Sequence, residues 1–183
     1  MTNSKTENFR IAVLGLDHDH GGTVAAEFQA SDGVDVIAAA DRDGQLRAKA
    51  ERDLGVLTYE NFTELLDRER LDAVCIYTDN RSSAELAIDA ALRGLHVLVE
   101  KPMAKNATDA ERMIDAAEQN GTRLMVNWPF AWWPNLQLAT RMVLEENTIG
   151  RLLQVRYRGA HEGIVAMGHS QQFADWVEDE ERA

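Results

Sequence analysis

Arg10-Ile11-Ala12-Val13-Leu14-Gly15 is the stretch whose reading decides the fold. Ile11, Ala12, Val13 and Leu14 leave no polar face, which marks a strand inside a buried sheet. Gly15 stops it, and residues 21–30 then read as a helix with Val24, Ala25 and Phe28 at helical spacing. The alternation repeats down the chain. Strands are expected at 34–40 (stopping at Asp41), 55–59, 72–78, 95–99 and 123–126. Between them fall helices at 43–54 with Asp43 as cap, a short one capped by Asn61, one at 82–93 ended by Gly94, and one at 108–119. Strands separated by helices need crossover connections, so the chain is expected to be α/β, a doubly wound parallel sheet.

From residue 127 the texture changes. Trp128, Pro129, Phe130, Trp132, Trp133 and Pro134 form a rigid aromatic connector, read as core material. A helix capped by Asn135 is expected at 136–146 and a strand-like run at 152–157. One helix and one strand do not close a core. Residues 1–127 are therefore expected to be one domain, and 128–183 the incomplete start of an α+β second domain that stops early.

Length and composition bound the rest. The 183 residues can bury one sizeable core. A net charge of −12 repels phosphate backbones and argues against nucleic acid. No apolar run is long enough for a membrane, and the polar start lacks a secretion signal. The single cysteine, Cys75, lies in an apolar strand and has no internal partner, which points to the cytoplasm.

The chemistry-bearing residues fall where these strands end. In an open α/β sheet the carboxyl edge is where ligands bind. Glu100-Lys101-Pro102 follows the fifth strand; the proline pushes Lys101 into extended backbone, placing a carboxylate and an ammonium at that edge. Lys101 there can polarise a substrate oxygen or shuttle its proton; a surface Glu-Lys pair is the plainer alternative. The turn after the first strand (Gly15, Leu16, Asp17, His18) sits where a helix amino terminus cradles a pyrophosphate. Asp41, closing the second strand, suits a ribose diol and favours NAD, while Arg42 can contact the 2′-phosphate of NADP or stack on adenine. Asp41 and Asp43 can equally cap the next helix. After the fourth strand, Thr78 and Asn80 can reach a ribose or a nicotinamide amide, or cap the helix that follows, as Ser82 also can. Trp128 stands where it can border the nicotinamide.

The glycine spacing departs from G-x-G-x-x-G. Glycines are required at 15, 17 and 20, but the residues are Gly15, Asp17 and His20, with Gly21 and Gly22 one step late. Asp17 and Asp19 oppose a dianionic pyrophosphate, and His18 and His20 can offset them by donating hydrogen bonds; a loop one residue longer is the other solution. The alternation Asp17-His18-Asp19-His20 also suits an ion, but no further His or Cys has ligand spacing, so no metal is expected. His161 and His169 read as solvated loop residues.

Taken together, these stations resemble the glucose–fructose oxidoreductase / inositol dehydrogenase / MocA family. The most specific part is Ala91, Gly94, His96, Val97, Leu98, Glu100, Lys101 and Pro102, and Ile149-Gly150-Arg151 is similar to that family's entry into its second domain. The resemblance implies a Rossmann domain binding NAD (NADP is the alternative), with Glu100 and Lys101 beside the nicotinamide. It also implies hydride transfer on a sugar, polyol or related hydroxy compound, with Lys101 assisting the proton. Full-length relatives are expected to form homo-oligomers. Asp79 and Ser83 replace a proline and a histidine of the family pattern, and Asn127-Trp128-Pro129 replaces its arginine-bearing turn. A second reading, from the altered glycine loop and early stop, is a catalytically inactive dinucleotide-binding fragment or regulatory module.

Overall fold

A computed structural model of the chain describes residues 7–160, 162–163, 165–167, 169 and 171–179. Six parallel strands form one sheet: β1 (Phe9–Leu14), β2 (Val34–Ala40), β3 (Leu57–Tyr59), β4 (Ala73–Ile76), β5 (His96–Glu100) and β6 (Leu124–Asn127). Their spatial order is β3-β2-β1-β4-β5-β6, so the sheet winds outward both ways from β1. The helices between them are α1 (Asp19–Gln29), α2 (Gly44–Leu54), α3 (Phe62–Arg68), α4 (Asn80–Leu92) and α5 (Ala107–Gln119).

Strand alternation splits the core in two. Ala12, Leu14, Val74, Ile76, Val97 and Val99 pack with Leu65, Ala84, Ala87 and Met113 on one face. Ile11, Val13, Cys75 and Tyr77 pack with Ala25, Ala50 and Leu54 on the other. Both faces of β1 and β4 are thus covered, which is why their sequences read as unbroken apolar runs. The helix stops are local. Asp43 caps α2 by accepting the Gln45 amide at 2.7 Å, and Gly55 closes it in the left-handed conformation.

Several expectations need correction. α1 begins at Asp19, before the expected Gly21, because the His18 imidazole caps it. Asp79, rather than Thr78, Asn80 or Ser82, caps α4: its carboxylate accepts the Ser82 amide at 2.8 Å, leaving Asn80 as the first helical residue. The helix expected from Asn135 starts instead at Pro134, after the short turn α6 (Pro129–Trp132); α7 (Pro134–Thr140) then widens into a π-turn at Arg141–Glu145. Proline suits a first helical position, since its missing donor is not needed there. The strand-like run at 152–157 is not in a sheet; Leu153, Val155 and Tyr157 stand exposed at 77%, 74% and 70%. An alternating pattern makes a strand only when another strand accepts its hydrogen bonds. The aromatic connector is likewise no core: Trp128, Phe130, Trp132 and Trp133 are about half exposed, and no residue of 128–160 is buried. The last described helix, α8 (Gln171–Glu178), turns back onto the body, burying Phe173 and Ala174. No helix among the described residues is long and apolar enough to cross a membrane.

Candidate functional site

The carboxyl edge of the sheet gathers the singled-out residues into two adjoining regions, divided by the turn after β1. Gly15 makes that turn possible. It sits at φ +91°, and a Cβ there would lie 2.7 Å from the Thr78 nitrogen, so only glycine lets β1 and β4 approach this closely. Gly21 takes the other close-approach position, where a Cβ would come 3.0 Å from the Gly15 carbonyl. The turn is the longer loop: the packing glycine comes one residue late, and the histidines fill the extra space.

The first region surrounds Asp41. Its carboxylate is buried and ties two backbone segments together, Oδ2 accepting the Leu16 amide at 2.7 Å and Oδ1 the Asp43 amide at 2.8 Å. Each oxygen keeps a lone pair for a further donor. Arg47 donates to the Asp41 and Arg42 carbonyls at 2.7 and 2.9 Å and fixes the loop from behind. Beside this carboxylate lies a cavity of about 340 Å³ lined by Asp17, Asp41, Arg42, Leu46, Phe62 and Thr78, among others. A diol acceptor, a guanidinium and two apolar walls in one cavity fit the adenosine end of a dinucleotide. Asn80 does not line it. Phe62 was not singled out as a site residue; its signal was an aromatic directly after a helix cap.

The second region is built on Glu100. The plain reading of an exposed Glu100-Lys101 pair fails, because the Glu100 side chain turns inward and is 5% exposed, while Lys101 is half-buried. Glu100 Oε2 accepts from Asn127 Nδ2 at 2.8 Å, and Oε1 lies 3.2 Å from His20 Nδ1. That second contact is a charge contact only, lacking hydrogen-bond alignment. Burial pushes the Glu100 carboxyl up, but its contacts with His20 and Asn127 and the neighbouring His18 outweigh it, so the group titrates below its ordinary range. His18 is 2% exposed and wedged between Tyr77 and the Phe173 ring, whose centroid lies 4.4 Å away. Burial lowers its pKa to about 4 despite the nearby Glu100 charge; Lys101 and His20 push the same way. His18 is therefore neutral at pH 7, and its Nδ1 accepts the His20 amide at 3.1 Å.

His169 is not the solvated loop residue expected. Its Nδ1 lies 3.1 Å from the Asp19 carboxylate, which ties the tail to the start of α1. His161 lies outside the described residues. Ser83, where the family pattern has histidine, is buried and donates back to the Asp79 carbonyl at 2.9 Å. It serves the helix start. Trp128 stands one residue past β6, 53% exposed.

A family model described as oxidoreductase family, NAD-binding Rossmann fold (GFO_IDH_MocA) matches residues 9–128. The chain belongs to this family. Among its relatives, the D-apiose dehydrogenase of Paraburkholderia graminis is 30% identical over 150 residues, covering 81% of this chain and 40% of that protein. A protein of Haloferax volcanii named D-xylose 1-dehydrogenase (NADP(+)) 2 is 37% identical over 114 residues, covering 61% and 35%. The crystal structure of myo-inositol 2-dehydrogenase from Lactobacillus plantarum superposes with a TM-score of 0.74 at 25% identity, covering 80% of this chain and 44% of that one. The chain thus spans roughly two fifths of the length of these family members. NAD is the cofactor of the family fold, and here Asp41, Arg42, Phe62 and Thr78 would hold its adenosine end.

Proposed function

We propose that this chain is the dinucleotide-binding part of an NAD-dependent oxidoreductase that moves a hydride to or from a sugar, a polyol or a related hydroxy compound. One observation carries the reading: the buried Asp41 carboxylate and the Glu100-Lys101 pair stand at strand ends on the same sheet edge, either side of the β1–β4 switch point. The first end grips the adenosine ribose and the second faces the reacting end. The cofactor supplies the hydride acceptor. Lys101 is then the acid–base group at the substrate oxygen, next to the buried Glu100 that Asn127 holds at 2.8 Å. The preference is for NAD, because the Asp41 carboxylate repels a 2′-phosphate, although Arg42 lines the same cavity.

The division of the chain at 127/128 supports a domain boundary: the sheet ends at Asn127 and no residue of 128–160 is buried. The apolar side chains exposed there suit burial against further structure. We place the chain in the cytoplasm, where its one cysteine, Cys75, stays a buried thiol whose pKa is pushed up to about 12 by burial.

Fluorescence titration with NADH and NADPH tests cofactor binding, and turnover of inositol, xylose and related polyols tests the chemistry. Saturable binding with turnover supports the whole reading. Binding without turnover by any polyol favours the second one, a dinucleotide-binding module without catalysis, which the histidine-filled turn also suggests.

A further inference from the structure

The sequence offered two histidines in the turn after β1 and no third ligand for an ion. The fold supplies one. Glu100, at the end of β5, comes alongside both histidines, and one ligand atom each from His18, His20 and Glu100 lie within 4.8 Å of one another. His18 and Glu100 are buried and His20 is half-buried, and His18 Nε2, His20 Nδ1 and Glu100 Oε1 are themselves buried atoms. The contact between His20 Nδ1 and Glu100 Oε1 is informative in its angles. The two atoms are 3.2 Å apart and buried, yet they are not aligned as donor and acceptor. Neither atom has a hydrogen-bond partner among the described residues.

We propose that His18, His20 and Glu100 form a binding site for one divalent transition-metal ion of the zinc type. Two imidazoles and one carboxylate match the His₂Glu donor set that such ions favour, with a fourth position for water. Magnesium and calcium, which take oxygen ligands, are disfavoured by the same donors. Asn127 Nδ2 holds the other oxygen of Glu100 at 2.8 Å, and Phe173 closes against the His18 ring. Occupancy changes one contact. His18 Nδ1 now accepts the His20 amide, so the neutral ring carries its proton on Nε2; ligation through Nε2 moves that proton to Nδ1 and exchanges the helix cap for the metal bond. The bound charge lies beside Asp19, whose carboxylate His169 already meets at 3.1 Å, and Asp17 directly precedes His18 in the chain. Both carboxylates otherwise oppose a phosphate at this turn. The site thus goes beyond the dinucleotide reading and stands or falls separately from it.

The test is equilibrium dialysis of the tag-free chain against micromolar Zn²⁺ with metal counted by mass spectrometry, and Co²⁺ absorption as a reporter of coordination. One ion per chain is expected, lost or weakened more than about tenfold in His20→Ala and in Glu100→Gln, and unchanged in His96→Ala. His96 is a fair control, since its Nδ1 accepts the Arg123 amide elsewhere on the sheet. His20→Ala removes a half-buried side chain and decides the matter alone if Glu100→Gln does not fold. No bound metal above the dialysate, or binding that survives His20→Ala, overturns the site. NADH titration of the same metal-free samples keeps its failure distinct from failure of the dinucleotide reading.

Discussion

His20 Nδ1 and Glu100 Oε1 lie 3.2 Å apart, bringing the first turn of α1 against the last residue of β5. With Asn127 on its other oxygen, Glu100 links three segments that share no local sequence. Removing it leaves the Asn127 amide without its acceptor and His20 without its charge contact. Glu100→Ala in metal-free protein is expected to lower stability by about 1–3 kcal/mol in urea unfolding, and Glu100→Gln by less, because the amide oxygen still accepts from Asn127. Equal midpoints for the wild type and Glu100→Ala would show that the carboxylate holds nothing together.

His18 makes stability depend on pH. Its pKa is about 4 in the folded chain against 6.5 when free, so between those values the unfolded chain binds the extra proton. Stability therefore rises with pH across that window and is lost as pH falls from about 6.5 toward 4, by up to ~3 kcal/mol. With chelator present, His18→Asn keeps a capping oxygen and does not titrate, so its stability should vary less over the same range. The same slope in both proteins would remove His18 as the cause.

Gly15 and Gly33 both have positive φ, but only Gly15 is hemmed in by backbone. Gly15→Ala is expected to cost at least ~2 kcal/mol, since the methyl meets Thr78 and Tyr77 main chain at 2.7 Å and neither can give way. Gly33→Ala, with open space around it, should cost about 1 kcal/mol from its backbone angles alone. Similar thermal midpoints for the two would contradict the tight seam between β1 and β4.

Asp41 and Arg42 are expected to set cofactor choice in opposite directions. Asp41→Asn should raise the Kd for NADH about tenfold or more and relax the bias against NADPH. Arg42→Ala should weaken NADPH more than NADH. Isothermal titration with both nucleotides decides it, and unchanged ratios in both variants would move the ribose contact elsewhere.

Lys101→Ala should leave NADH affinity within about threefold, because Asp41, Phe62 and Thr78 line the cavity without it. Turnover, where polyol oxidation is measurable, should collapse; unchanged turnover would refute its acid–base role.

The strands were legible because burial on both faces leaves continuous apolar runs, and the positions of Asp41, Thr78 and Lys101 at the carboxyl edge were legible because each lies within two residues of a strand end. The second region was not. Glu100 reached the histidines through the strand order, which sequence spacing does not encode, and Phe173 arrived from the far end of the chain. Asp79 was passed over as a cap because Thr78, Asn80 and Ser82 offered the same chemistry within one turn. The alternation at 152–157 misled for a different reason: periodicity reports which side chains could share a face, while a strand also needs a neighbour.

The most direct measurement is a nitrogen–proton correlation spectrum of the chain recorded during titration with NADH. Saturating shifts are expected at the amides of Leu16 to His20, Asp43 and Thr78, the residues at and around the adenosine cavity and the turn after β1. Shifts confined to the opposite end of the sheet, or none at millimolar nucleotide, would contradict a dinucleotide site at this edge.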